Sequence, residues 1–224
     1  MFNTKKISEY SFEFFNARFF KLLFSYGVFL FLFLAFVSKT AELSFILSLD
    51  HSIFYFITSL REPALTGFME FISFFGNLEI ILPLALAVVL YLFLRKRYDL
   101  MLALFASSGL AGIVTISVKN FFERHRPPAE DALVYASGFS FPSGHAMISI
   151  VFYGMLAYFV FISSKNKVEK LLSFVIGLLF VVLLPFSRVY LGVHWPSDVV
   201  GSLILGSIWF LMIRYILNEF RSSK

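Results

Sequence analysis

Long apolar stretches separated by short polar segments dominate the chain. Six of these stretches approach the length of about 20 residues that an α-helix needs to cross the hydrocarbon core of a membrane. They cover 22–38, 80–94, 100–118, 146–164, 171–186 and 199–213. The pattern predicts an all-α membrane protein with six transmembrane helices. The first stretch follows a basic segment and could be a cleaved signal peptide, but it lacks a clear small-residue cleavage site, so we expect a retained helix.

The segment 40–78 is too polar to cross a membrane, but it has its own helical pattern. Apolar residues recur every three or four positions from Leu65 to Phe75, with Pro63 near the start and Gly76-Asn77 at the end, as suits helix boundaries. The apolar residues of 53–60 indicate a short helix before it. We interpret both as interfacial helices lying against the outer leaflet. An ordinary packed extracytoplasmic loop is the alternative.

Composition agrees with a membrane protein. Hydrophobic residues make up 59% of the 224 residues and charged residues only 15%, whereas a soluble domain carries about 25% charged residues. Phenylalanine contributes 32 residues, which suit lipid-facing helix surfaces. The chain has no cysteine, which excludes disulfides and thiolate metal sites. No internal repeat is evident, so we expect one domain over residues 1–224.

The distribution of basic residues predicts the orientation in the membrane. Thirteen of the 19 Lys and Arg residues fall in segments that the predicted topology places on one side, together with only five acidic residues. The opposite side has six basic and nine acidic residues. Because cytoplasmic loops carry an excess of Lys and Arg, we expect a multi-pass protein of the cell membrane with both termini in the cytoplasm.

Three short polar clusters lie at the edges of apolar stretches, and the predicted topology places all three on the external side. Ionisable side chains at such positions are energetically costly and are usually functional. The clusters supply three cations, two imidazoles and one carboxylate, which together can hold and cleave a phosphate ester. Their members are Lys119 and Arg126-Pro127 in the first, Pro142-Ser143-Gly144-His145 in the second, and Ser187-Arg188, His194 and Asp198 in the third.

The second and third clusters each begin a helix. Pro142 suits the first helical position, where its missing N–H costs nothing. The amides of residues 143–145 would then be free to bind a phosphate at the helix N-terminus. Pro196 begins the last helix in the same way, so two helix N-termini can converge on one anion. The three cations would complete the cradle, since Lys and Arg side chains bind phosphate oxygens.

The two histidines supply the chemistry. Imidazole titrates near neutral pH and can act as nucleophile, base or acid. His194 and Asp198 are four residues apart near a helix start, so the carboxylate can hold one ring nitrogen as N–H and leave the other free to attack phosphorus. His145 would then protonate the leaving oxygen. We expect His194 to be exposed at the rim of the helices.

The three clusters resemble the tripartite signature of the type 2 phosphatidic acid phosphatase superfamily. The matching residues are Lys119 with Arg126-Pro127 after six residues, Pro142 to His145, and Ser187-Arg188 with His194 after five residues and Asp198 after three more. All three parts are intact and in order. The signature spans 119–198, and the six-helix pattern extends the resemblance to most of the chain. It implies the helical fold that acid phosphatases share with vanadium haloperoxidases.

The resemblance also implies a role for each matching residue. The residue matching His194 is the nucleophile, which forms a phosphohistidine that water hydrolyses. Asp198 orients that nucleophile, and His145 acts on the leaving group. The implied phosphate-binding residues are Lys119, Arg126, Ser143, Gly144 and Arg188. No metal or other cofactor is implied; the implied partners are a lipid phosphate substrate and membrane lipids, with no nucleic acid, and the oligomeric state stays open.

The substrate and the acceptor also stay open. Undecaprenyl diphosphate is our first choice, because an external site suits recycling of that carrier, followed by phosphatidylglycerophosphate and phosphatidate. The phosphoryl group could pass to another lipid instead of to water. Further alternatives are a metal site built from His145, His194 and Asp198, which the neighbouring cations oppose, and a non-enzymatic anion transporter or scaffold.

Two basic residues beside Arg126 have no part in the signature. Arg124 and His125 could touch a second phosphate of the substrate. We expect instead that both are solvated loop residues.

Overall fold

The structure, a computed structural model, describes residues 44–222, and every regular element within that range is a helix. The helices are α1 (Ser44–Ser59), α2 (Pro63–Phe74), α3 (Leu78–Leu94), α4 (Tyr98–Phe122), α5 (Gly144–Ser163), α6 (Lys167–Tyr190) and α7 (Pro196–Ser222), with a 3-10 turn at Ala129–Asp131. The expected all-α architecture is confirmed. The predicted helix over 22–38 lies outside the described residues.

Four helices, α4 to α7, are long and apolar enough to cross a membrane. Helices α2 and α3 meet at a bend of 45° and pass the same test as a pair, which gives up to five spans within residues 44–222. The boundaries of α2 agree with the sequence pattern, since Pro63 lies in its first turn and the helix ends before Gly76. The six-span topology and the interfacial position of α1 and α2 remain predictions.

The main core lies where α4, α5, α6 and α7 pack together. Leu104, Phe152, Leu184 and Leu205 come from these four helices and are almost completely buried. Helix α5 is the most buried of the four, so it forms the centre of the packing. Leucine, isoleucine and phenylalanine side chains on the outer faces are exposed, as expected of helices that are apolar all round and are covered by lipid.

Two π-turns interrupt α4 and α5 where these helices touch. They cover Phe105–Gly109 and Ser149–Gly154, and such turns take backbone groups out of the regular hydrogen-bond ladder. The hydroxyl of Ser107 donates to the carbonyl of Val151 at 2.5 Å, and Nε1 of Trp209 on α7 donates to the carbonyl of Ser107 at 3.0 Å. These bonds fix α4, α5 and α7 relative to one another.

Short connections make neighbouring helices antiparallel. Residues 95–97 join α3 to α4, and residues 164–166 join α5 to α6. The ends of α4 and α6 and the starts of α5 and α7 therefore lie at the same end of the bundle. The longer segments 123–143 and 191–195 cover that end, which is where the polar clusters are found.

Candidate active site

The predicted site residues lie at one end of the bundle, at helix ends and in the segments between them. They are His145, His194, Asp198, Lys119, Arg126, Ser143, Gly144 and Arg188. Lys119 lies in the last turns of α4, Gly144 begins α5, and Arg188 lies in the last turn of α6. The charges of Arg126 and Arg188 are close enough to interact with Lys119 and with both histidines. The structure thus brings the three clusters together.

His194 lies in the segment 191–195, and only 3% of it is exposed. Its Nδ1 faces Oδ2 of Asp198 at 3.6 Å and the hydroxyl of Ser140 at 3.4 Å, whereas its Nε2 lies 3.3 Å from Nη1 of Arg126. Because a guanidinium only donates, Nε2 accepts in this contact and Nδ1 carries the hydrogen. The expectation of an exposed rim histidine is wrong, because the 123–143 segment folds over the ring and brings Ser140 against it.

Burial decides the protonation state of His194. Removal from water lowers the pKa of this imidazole to about 4, in opposition to Asp198, and the charges of Arg126 and Arg188 act in the same direction as burial. Desolvation has this effect because it disfavours the charged imidazolium. The ring is therefore neutral at pH 7, with the lone pair of Nε2 directed toward a cation.

The carboxylate of Asp198 is surrounded by donors. It is completely buried and accepts hydrogen bonds from the hydroxyl of Ser140, from the amide of Trp195 at 2.9 Å and from the guanidinium of Arg124. A buried carboxylate needs such partners, since an unpaired buried charge is strongly unfavourable. These bonds fix its orientation, with Oδ2 toward His194.

Arg126 and Lys119 are anchored to backbone carbonyls. Arg126 donates to three carbonyls in the segments 123–143 and 191–195, at 2.6 to 2.9 Å. Lys119 donates through Nζ to the carbonyl of Phe139. The terminal nitrogens of both side chains carry more than one hydrogen. Each side chain is therefore held in place while it keeps donors for a phosphate oxygen.

Arg188 is a buried cation with a donor to spare. It is only 6% exposed, and its Nη1 donates to the hydroxyl of Ser73 on α2. Its Nε has no hydrogen-bond partner among residues 44–222. Buried polar groups are nearly always paired, so this N–H is available to a bound anion.

The backbone amides at the helix N-termini do not all have the role that the sequence predicts. The amide of Ser143, before α5, donates to the hydroxyl of Ser202 at 2.7 Å, and the amide of Ser197 in α7 donates to Asp50 at 2.9 Å. The expectation of a free amide is wrong for Ser143, because a side chain of α7 binds it, and a side chain of α1 likewise binds the amide of Ser197. For the amides of Gly144 and His145 the expectation stays a prediction. Gly144 has no heavy atom within 4 Å of the place where a Cβ would stand, which leaves room for an anion there.

His145 is held by the bend between α2 and α3, which the sequence patterns did not connect with the site. Its Nε2 lies 3.2 Å from Oδ1 of Asn77. A Cβ on Gly76 would stand 2.2 Å from Cδ2 of His145, so only glycine admits the ring at this point. The proximity of an Asn and a Gly at a helix bend carries no signal in one sequence, because 68 residues separate Asn77 from His145.

Arg124 is not a solvated loop residue. Its guanidinium binds the carboxylates of Asp198 and Asp50 and the hydroxyl of Ser197, and its side chain is mostly buried. The interpretation as a solvated residue is wrong because two carboxylates need this charge. An acidic residue among the apolar residues of 44–59 was the available signal for a buried ion pair. His125, by contrast, is exposed.

Comparison with known proteins places this geometry among membrane phosphatases. Phosphatidylglycerophosphatase B of Bacillus subtilis is 35% identical over 193 residues, which cover 83% of this chain and 91% of that protein. A putative undecaprenyl-diphosphatase of Escherichia coli is 30% identical over 174 residues, or 75% of this chain and 83% of that protein. The crystal structure of a transmembrane PAP2-type phosphatidylglycerolphosphate phosphatase from Bacillus subtilis aligns with a TM-score of 0.72 and 32% identity, covering 86% of this chain and 96% of that one.

The match to the family itself covers the site. The sequence model of the PAP2 superfamily matches residues 100–222, a range that contains all three polar clusters. It leaves out α1, α2 and α3, so Asp50 and Asn77 lie outside it. The resemblance found in the sequence is confirmed, and the chain belongs to the PAP2 superfamily as a membrane phosphatase.

Proposed function

We propose that this protein hydrolyses the phosphate of a membrane lipid through a covalent phosphohistidine on His194. The observation that carries the proposal is the state of the His194 ring. It is neutral, its Nδ1 faces the fixed carboxylate of Asp198, and its Nε2 faces the cation of Arg126. A nucleophile held by a neighbouring carboxylate and directed at an anion site is the arrangement that phosphoryl transfer to a side chain requires.

The reaction proceeds in two steps. A phosphate oxygen first takes over the N–H of Arg126, which frees the lone pair of Nε2 on His194. Nε2 forms a bond to phosphorus while the bond from phosphorus to the lipid oxygen breaks, and His145 gives its proton to that oxygen. Water then attacks the phosphohistidine and gives its proton to His145. The P–N bond breaks, and inorganic phosphate leaves.

The cations stabilise the charge that develops on the transferred group. Lys119, Arg126 and Arg188 surround the site, and the free Nε–H of Arg188 supplies a donor that no residue in 44–222 uses. Preorganised donors of this kind are worth about 10²- to 10³-fold in rate each. Three cations at this site would also repel a divalent ion.

We place the site on the external face of the cell membrane, with both termini in the cytoplasm. The opposite end of the described helices has the basic residues Arg95, Lys96, Arg97, Lys165 and Lys167 in its connections or next to them. An excess of Lys and Arg is typical of cytoplasmic loops. A phosphate at the external end of the bundle lies at the level of lipid head groups, so a lipid can present it without leaving the membrane.

Among lipid substrates we place phosphatidylglycerophosphate first and undecaprenyl diphosphate second. Arg124, which could have met a second phosphate, is bound to Asp50 and Asp198, so this cation is not available to a diphosphate. The relative at 35% identity is named a phosphatidylglycerophosphatase, whereas the name of the relative at 30% favours the diphosphate. Phosphatidate follows, and a lipid acceptor in place of water remains an alternative for the second step.

A metal-dependent mechanism receives no support from the geometry. Within residues 44–222, no group of three or more His, Asp or Glu side chains is arranged to hold a metal ion. His145 faces Asn77 and not Asp198, so the two histidines and the carboxylate do not converge on one point.

Phosphate release by purified protein in detergent, with a chelator present, tests the proposal. Phosphatidylglycerophosphate, undecaprenyl diphosphate and phosphatidate are offered separately, and His194→Gln serves as the blank. We expect release from at least one lipid that disappears in the variant, with the order of rates identifying the substrate. Release that persists in the variant contradicts the proposed nucleophile, and release that needs an added metal contradicts the mechanism.

A further inference from the structure

Two residues outside the tripartite signature form a chain that leads to the carboxylate of Asp198. Arg124 donates through Nη1 to Oδ1 of Asp198, and through Nη2 to Oδ2 of Asp50 at 2.6 Å. Asp50 belongs to α1 and is only 3% exposed. We infer that Arg124 and Asp50 are positioning residues for the reaction, which hold Asp198 in the orientation that His194 requires. The inference rests on the proposed role of His194.

The two oxygens of Asp198 have separate partners. Oδ1 is bound by Arg124, whereas Oδ2 accepts from Ser140 and from the amide of Trp195 and faces Nδ1 of His194. A carboxylate can rotate about its terminal bond and exchange its oxygens. The bond from Arg124 opposes this rotation because a guanidinium presents its donors in a fixed planar fork. Arg124 therefore helps to hold the plane of the carboxylate, so that one oxygen stays directed at the imidazole.

Asp50 fixes the other arm of the guanidinium and the helix that carries Asp198. Its Oδ2 accepts from Arg124 and from the hydroxyl of Ser197, and its Oδ1 accepts from the amide of Ser197. Ser197 directly precedes Asp198 in the first turn of α7. A carboxylate at a helix N-terminus is favourable because of the free amides and the helix dipole. Helix α1 lies outside the range that matches the PAP2 superfamily. It nevertheless reaches the carboxylate of Asp198 through one intervening residue.

A buried ion pair can also serve stability alone, and removal of one partner leaves an uncompensated charge that destabilises the fold. The two roles differ in what they change. A structural pair affects the amount of folded protein, whereas a positioning pair lowers kcat of the folded enzyme. Neither Arg124 nor Asp50 is assigned to the phosphate, so the KM of the folded enzyme should change little.

The test compares Arg124→Gln, Asp50→Asn and the double variant with the wild-type enzyme, after normalisation to folded protein by size-exclusion chromatography. For Arg124→Gln we expect a loss in kcat of about 10- to 100-fold, as for other partners that orient a functional side chain, with KM nearly unchanged. The double variant should be no slower than Arg124→Gln, because Asp50→Asn keeps the acceptor for the Ser197 amide and loses the charge that holds Arg124. Arg97→Gln is the control, since it removes an ion pair with Asp99 at the opposite end of the bundle, and its kcat should equal that of the wild type.

Each outcome either supports or overturns the positioning role of Arg124 and Asp50. A folded Arg124→Gln enzyme with wild-type kcat overturns the inference, as do additive losses in the double variant. If Arg124→Gln does not fold, Asp50→Asn gives the answer, because the amide keeps an acceptor for Ser197 while its charge is lost: reduced kcat supports the inference and wild-type kcat overturns it. His194→Gln is measured in parallel. Turnover in that variant would contradict the proposed nucleophile, whereas its inactivity beside a normal Arg124→Gln enzyme would contradict only the positioning role.

Discussion

The two histidines of the site are held by different parts of the molecule and by different kinds of contact. His194 is almost completely buried, and its ring lies between the carboxylate of Asp198 and the guanidinium of Arg126. His145 stands at the start of α5 and is only partly buried, and its Nε2 meets the neutral amide of Asn77. The charges of Arg126 and Arg188 reach both rings. A carboxylate holds the ring of His194, whereas a neutral amide at a helix bend meets the ring of His145.

This difference favours different tasks for two side chains of the same type. Pairs of identical groups in unlike surroundings are how enzymes separate a nucleophile or base from an acid. The buried ring of His194 is kept neutral and oriented, as a nucleophile must be. The ring of His145 packs against the α2–α3 bend, beside Gly76 and Asn77. Variants that change one side and leave the other intact test this division.

The largest effect is expected from removal of the nucleophile. His194→Gln should lower kcat by about 10⁴-fold or more, as does the loss of a member of a catalytic triad. His145→Gln should lower it less, by about 10²- to 10⁴-fold, because water can replace a general acid in part. Steady-state phosphate release from both purified variants provides the measurement. A greater loss in His145→Gln than in His194→Gln would reverse the assignment of roles.

The next effect concerns the bend that holds His145. Gly76→Ala should lower kcat by about 10²-fold, because the new methyl group would overlap the ring and displace the general acid. Gly67→Ala is a matched control in α2, since no heavy atom lies within 4 Å of the Cβ position there. That variant should keep full activity and be slightly more stable. Equal activity of the two variants would show that the bend does not position His145.

A smaller effect is expected at the phosphate cradle. Arg188→Lys should lower kcat/KM by about 10- to 100-fold, because an ammonium cannot bind Ser73 and a phosphate oxygen in the geometry of a guanidinium. Arg214→Lys, at an exposed position of α7 away from the site, is the control. Unchanged kcat/KM in Arg188→Lys would show that Arg188 does not bind the transferred phosphate.

The smallest effect concerns protonation. The deprotonated form of His194 is the nucleophile, and burial lowers the pKa of this group to about 4, so the active form persists as the pH falls through 6. An ordinary histidine, with a pKa of about 6.5, would be only about one-quarter neutral at pH 6. Histidine ¹⁵N NMR, with His194→Gln to assign the signal, should show a neutral ring at that pH. Titration with a midpoint near pH 6.5 would contradict this account of the buried side.

The parts of the molecule that could be predicted from sequence depend on local patterns. The spacing of apolar residues and Pro63 predict helix α2, and the lengths of the apolar stretches predict the segments of α3 to α7. The relation of His194 to Asp198 also follows from a spacing of four residues at a helix start. The sequence also predicts that the three clusters lie together, because alternate helix ends share one side of a membrane.

The rest depends on contacts between distant residues. Asp50 and Arg124 are 74 residues apart, and a single sequence does not indicate which acid neutralises a given arginine. The free amide expected at Ser143 is lost to Ser202 for the same reason, because helix periodicity predicts where a donor lies and not which side chain reaches it. The burial of His194 likewise depends on how the 123–143 segment folds back over it.

The most direct test of the central claim is to trap the phosphoenzyme. The enzyme is mixed with ³²P-labelled phosphatidylglycerophosphate, stopped in alkali within the first turnover and analysed by peptide mass spectrometry. We predict an alkali-stable, acid-labile phosphoryl group on the peptide that contains His194, absent from His194→Gln and formed slowly in His145→Gln. Label on another residue would contradict a phosphohistidine at His194. The same conclusion would follow if hydrolysis of the intermediate were made rate-limiting and turnover continued without any trapped label.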